Sequence, residues 1–167
     1  MHRRSVRCLI GGVLGFAVLP ASAAMNALDR DFMLRAASGS MVEMQSAQLA
    51  QQRGNSAQVR QFAARMITDH GQANDELQQI AQQANVELPS KPMNKDAVAA
   101  QRLGGLNGAA FDQAYVQTEL RGHQANVALF RKEATSGQEP ALKEFAQKML
   151  PTLQQHLQLA QTLNTNR

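Results

Sequence analysis

Beyond Cys8 the sequence has no cysteine, so neither a disulfide nor a thiolate metal site is open to the rest of the chain. Stability must come from packing, and any metal must be held by histidine, carboxylate or methionine. Long apolar runs are equally scarce. The single one, CLIGGVLGFAVL at residues 8–19, falls well short of the about 20 residues that span a bilayer. It follows the basic stretch MHRRSVR and precedes Pro20 and the small residues Ala21 and Ala23, the layout of a secretory signal peptide cleaved after Ala23. Cys8 opens the apolar run instead of following it, where it cannot become a lipidated first residue, and is expected to leave with the signal. The expected organisation is a signal over residues 1–23 and one domain over residues 24–167, periplasmic and not membrane-spanning.

Clustered positive charge is lacking too. The pI of about 9.7 owes much to the signal, because removing Arg3, Arg4 and Arg7 from 17 basic residues leaves 14 against 13 acidic ones. The remaining arginines, Arg30, Arg35, Arg53, Arg60 and Arg65 among them, are scattered between Gln and Ala, and aromatics make up 4% of the chain. Nucleic-acid binding, which needs grouped cations and, for single strands, stacking aromatics, is set aside. Phosphate loops, a G-x-S-x-G elbow and an H-E-x-x-H pair are absent as well, and no Ser-His-Asp order can be assembled. No catalytic residue set emerges.

What is there is an Ala-, Gln- and Leu-rich chain with few β-branched runs, which favours helix. Its punctuation predicts an all-α fold of four helices. The first runs from Asp29 or Asp31 to Arg53, stopped by Gly54 and Asn55. Ser56 then caps a second helix to Ala84. A third runs from Ala109 to Ala134, ended by Ser136 and Gly137, and a fourth from Pro140 to Leu163. Two tight turns make two antiparallel hairpins. The connection over residues 85–108, with Pro89, Pro92, three glycines and a short helix DAVAAQRL, is long enough to travel the length of a bundle. Such a crossover joins two parallel neighbours in a ferritin-like four-helix bundle. The hairpins also look alike: Glu43 is followed six on by Leu49 and then by QVRQFAARM, His123 six on by Leu129 and then by ALKEFAQKM.

The apolar stripes carry unexpected polar residues. Val59, Phe62, Met66, His70, Ala73, Leu77, Ile80 and Ala84 form one face of the second helix. Val116, Leu120, His123, Val127 and Phe130 do so on the third, and Leu142, Phe145, Met149, His156, Ala160 and Leu163 on the fourth. The first helix offers a face of small residues around Glu43. All four polar residues fall near mid-helix, within reach of a common layer.

Two accounts fit this pattern. In one, Glu43, His70, His123 and His156 hold a single Zn, Cu, Fe or Mn ion in the bundle core, with Met66 and Met149 near enough to favour Cu(I). A di-iron centre is disfavoured, because the residues three before His70 and His156 are Ile67 and Leu153 rather than glutamates. In the other, the histidines join Glu43, Asp69 and Glu119 in a buried polar network that fixes helix register, and the Gln-rich outer faces serve a protein partner. Tyr115 is expected to pack its ring at the bundle edge.

Taken in order, Glu43 with SAQLA, VRQFAARMITDH, the LP after the second helix, FDQAYV with His123, and LKEFAQKMLPTLQQH resemble a bacterial ferritin-like envelope family, catalogued as a domain of unknown function and often labelled outer membrane protein. The resemblance covers about residues 28–163. It implies a signal peptide, a ferritin-like bundle and an extracytoplasmic address, and it brings no established activity; a link to envelope stress or metal handling is the expectation drawn from the inward polar residues. An outer-membrane barrel is at odds with a chain that has no alternating strands.

Overall fold

The computed structural model describes residues 25–93, 98 and 101–165; the expected signal peptide lies outside the described residues. Four long helices account for most of the chain: α1 (Ala27–Arg53), α2 (Ala57–Gln83), α3 (Gly108–Ser136) and α4 (Pro140–Thr165). Val98 and residues 101–103, part of the expected short helix, are also helical. No strand occurs among the described residues, only an isolated parallel bridge between Gly54 and Gly108.

Capping chemistry sets the ends. Ser56 accepts from the Val59 N–H at 3.1 Å, as expected of an N-cap. α1 begins earlier than the sequence suggests because Asn26, not Asp29, caps it, accepting from the N–H groups of Leu28 and Asp29. α2 ends in a left-handed Asn85 with φ of +53°, and the Val86 N–H closes back on the Ala81 carbonyl at 2.9 Å.

Asp29 and Asp112 then tie the hairpins together. Asp29, near the start of α1, accepts from the backbone of Gln138 and Glu139 at the start of α4, with a shortest contact of 2.6 Å. Asp112, near the start of α3, accepts at 2.8 Å from each of Asn55 and Ser56 at the start of α2. So α1 and α4 start at one end of the bundle, and α2 and α3 at the other. α1 packs on α2 and α3, and α4 on the same two. The crossover therefore does join parallel helices, but α2 and α3 stand diagonally instead of side by side. It runs back along α1, where the Met93 N–H donates to Ser38 Oγ and the Arg53 guanidinium to the Gly104 carbonyl.

These contacts reveal a repeat register different from the one first read. Asp112 lies 83 residues after Asp29, and the same step relates Gly39 to Gly122, Gly54 to Gly137, Val59 to Leu142, Phe62 to Phe145 and Met66 to Met149. The match of Glu43 with His123 uses a step of 80 and fails on α1 and α3; the structural counterpart of Glu43 is Asn126, which donates to it at 2.9 Å. Gly39 and Gly122 let α1 and α3 close on that pair: a Cβ on Gly122 would meet Glu43 Oε1 at 3.1 Å, and one on Gly39 would meet Asn126 Oδ1 at 3.5 Å.

The core has two apolar clusters. Phe32, Phe130 and Phe145 centre one, with Phe32 and Phe130 edge to face at 4.9 Å. Phe62, Phe111, Tyr115 and Met66 centre the other. The polar residues of the stripes lie at bundle mid-height.

Candidate metal centre

His70, His123 and His156 are all buried, at 5%, 0% and 0% exposure. They come from α2, α3 and α4 and meet in the core, with ring centroids 5.8 Å (70 to 123), 5.6 Å (70 to 156) and 5.2 Å (123 to 156) apart. One ring nitrogen from each lies within 4.8 Å of the others.

Each ring uses one nitrogen to contact protein oxygen. Nδ1 of His70 lies 3.2 Å from Ser40 Oγ and 3.5 Å from Glu43 Oε2. For His123, Nδ1 lies 2.9 Å from the Glu119 carbonyl and 3.6 Å from Glu43 Oε1. Nε2 of His156 lies 2.7 Å from Asp69 Oδ2, and Arg65 Nε donates to the same oxygen at 3.2 Å. The second nitrogen of every ring, His70 Nε2, His123 Nε2 and His156 Nδ1, is buried without a hydrogen-bond partner. A buried imidazole whose N–H or lone pair finds no partner loses the full cost of its desolvation, about 1–3 kcal/mol per group.

Burial also keeps these rings neutral. It is the main cause holding His70 well below 6.5 and His123 down at about 4, aided in both by the neighbouring histidines. His156 is lowered by burial as well, against the opposing pull of Asp69. Neutral imidazole is the form that donates a lone pair to a metal.

Of the four residues expected from sequence, the three histidines form the triad, and Glu43 stands at the Nδ1 edge of His70 and His123. Asp69 and Glu119, expected as hydrogen-bonding partners, do contact His156 and His123. Tyr115 departs from expectation. It is fully buried, stacked on Phe111 at 6.1 Å, and its hydroxyl has no hydrogen-bond partner. Its position in the 83-residue repeat matches Phe32, so a core ring was legible there once the register was known. Met66 is buried in the second apolar cluster, while Met149 lines a cavity of about 20 Å³ beside His70.

The profile of DUF4142, a domain of unknown function, matches residues 17–163. The chain belongs to the DUF4142 family. No curated protein sequence matches this DUF4142 chain. Its fold is similar to that of a DUF305 fragment from Deinococcus radiodurans, with a TM-score of 0.77 at 11% identity over 87% of this chain and 100% of that one. It is also similar to CopM in its Cu(I)-bound form, with a TM-score of 0.68 at 18% identity over 83% and 96% of the two chains. CopM in its apo form gives 0.67 at 16% identity, again over 83% and 96%. At such identities the likeness is one of fold. None of the described helices is long and apolar enough to cross a membrane.

Proposed function

We propose that this DUF4142 protein is an exported, periplasmic, ferritin-like four-helix bundle that binds one transition-metal ion through His70, His123 and His156, without being an enzyme. The observation that carries the reading is the division of labour within each ring: one nitrogen contacts a protein oxygen and the other is buried with nothing to bond. Metal-ligating histidines are built this way, because the outer contact fixes tautomer and orientation and raises the basicity of the inner nitrogen. Ser40, Glu43, Asp69 and the Glu119 carbonyl supply that outer layer. An ion about 2.1 Å from each nitrogen spaces tetrahedral donors about 3.4 Å apart, a separation compatible with ring nitrogens that lie within 4.8 Å of one another.

Copper is the favoured ion. Three neutral imidazoles add no negative charge, which suits Cu(I), and CopM, a bundle of similar fold, has Cu(I)-, Cu(II)- and Ag-bound forms. Zinc fits the same donors, while iron and manganese prefer more carboxylate. The test is elemental analysis of untagged protein recovered from a periplasm, beside the His70→Ala/His123→Ala variant. Near-stoichiometric metal in the parent and none in the variant would support the reading. Metal-free parent protein that the double substitution merely destabilises would return the histidines to a buried Glu/His network and move the search to a protein partner.

A further inference from the structure

The second edge of His123 faces a different set of donors. Its Nδ1 lies 3.6 Å from Glu43 Oε1 and 3.7 Å from Glu119 Oε2, and one ligand atom from each of Glu43, Glu119 and His123 lies within 4.8 Å of the others. The Glu119 side chain is fully buried, and neither of its carboxylate oxygens has a hydrogen-bond partner. Ser46 Oγ, also buried and partnerless, lines the same space. Burial first, and then the Glu43 charge, hold the Glu119 carboxyl well above the usual carboxylate range, so a cation entering here would displace its proton to solvent.

That space is a cavity of about 460 Å³ between α1 and α3, floored by Glu43, Glu119 and Asn126 and reaching Val98 and Arg102 of the crossover. Arg102 and Arg121 also line it, but both are exposed, where solvent and salt screen their charge. The 83-residue repeat shows the asymmetry of the site. The α1 counterparts of Glu119 and His123 are Ala36 and Ser40, and the α3 counterpart of Glu43 is Asn126, so two donors come from the second half and one from the first.

We infer that Glu43, Glu119 and His123 form a second cation site, separate from the triad and reached through the α1/α3 cavity, which takes a divalent ion of borderline-to-hard character such as Zn(II). It deepens the reading above and shares His123 with it. Two carboxylates offset the charge of a divalent ion, whereas the uncharged triad suits Cu(I). With the outer ion alone, Nδ1 would ligate in the Nε2–H tautomer and give up its 2.9 Å contact with the Glu119 carbonyl. With both sites filled, His123 would serve the two ions only by giving up its ring proton to solvent.

The test is the zinc retained per chain by metal-stripped mature protein after gel filtration. The expected result is two equivalents in the parent, one in Glu119→Gln and one in His70→Ala/His156→Ala. One equivalent in the parent, kept by Glu119→Gln and lost in the histidine variant, would overturn the outer site and leave the triad standing. One equivalent lost in Glu119→Gln and kept in the histidine variant would support the outer site and overturn the triad. Should either variant fail to fold, Gly122→Ala replaces it: the new Cβ crowds Glu43 Oε1 at 3.1 Å and should weaken the outer equivalent about 10–100-fold, the range for a displaced partner of a metal site. Unchanged binding of both equivalents in Gly122→Ala would count against Glu43 as a ligand.

Discussion

Asp69 Oδ2 lies 2.7 Å from Nε2 of His156, although the two residues are 87 positions apart and on different helices. The contact engages Nε2 and leaves Nδ1 as the nitrogen without a hydrogen-bond partner, the one that would face a metal in the proposed site. It crosses from α2 to α4, so it also orients one ring relative to His70, the next residue along α2.

Asp69→Asn keeps the shape of the side chain and removes the charge that makes His156 a stronger donor. Metal affinity should fall about 10–100-fold with the ion still bound at the same stoichiometry. Competition against a chelator of known affinity measures this, and an unchanged affinity would detach Asp69 from the site.

Asp29 and Asp112 each hold the two backbone N–H groups just before a helix in the other hairpin. Replacing either with alanine leaves those donors without a charged acceptor and should cost about 1–3 kcal/mol. Urea denaturation of the two single variants and the double variant reads the loss. Because the contacts are at opposite ends of the bundle, the two losses should add.

Gly54 and Gly137 repeat the same tight turn. A Cβ would meet the carbonyl oxygen four residues back at 2.5 Å in one and 2.6 Å in the other. Gly54→Ala and Gly137→Ala should each lower stability by about 1–3 kcal/mol, as forced overpacking does. Equal melting temperatures for parent and variants would show that these turns relax freely.

Glu133 is buried beside Asp29, and burial first, with the Asp29 charge second, raises its carboxyl from 4.5 to about 7. Between those two values the folded chain holds a proton that the unfolded chain has lost, so stability falls as the pH rises through that window. The contribution is fully present below pH 4.5 and gone above about pH 7. Glu133→Gln should flatten this part of the stability profile and raise the denaturation midpoint near pH 8. A parallel profile for parent and variant would contradict the assignment.

Much of this was legible in sequence, for reasons that differ between helices. α2 and α4 carry strong apolar stripes, and the buried positions Val59, Phe62, Met66, Leu77, Leu142, Phe145 and Ala160 fall where period 3.6 puts them. α1 buries Ser38, Ser40 and Ser46 beside its alanines, so composition alone could not define its face. The inward placement of His70, His123 and His156 followed from the stripes of their own helices. The small-residue face of α1 likewise set Glu43 inward, but its pairing with Asn126 was not legible, because that depends on how α1 meets α3 across Gly39 and Gly122. The early start of α1 was hidden for a related reason: Asp29 reads as a local cap but is used across the bundle by α4. Side-chain period reports what faces inward, and long-range capping reports what each helix end touches; only the first is a local property of sequence.

The most direct measurement is anomalous diffraction at the copper edge from crystals of the protein without residues 1–23, loaded with copper. The account predicts a peak in the bundle core about 2.0–2.1 Å from a ring nitrogen of each of His70, His123 and His156. Copper confined to surface methionines or histidine-free positions, with the three rings still apart, would contradict it.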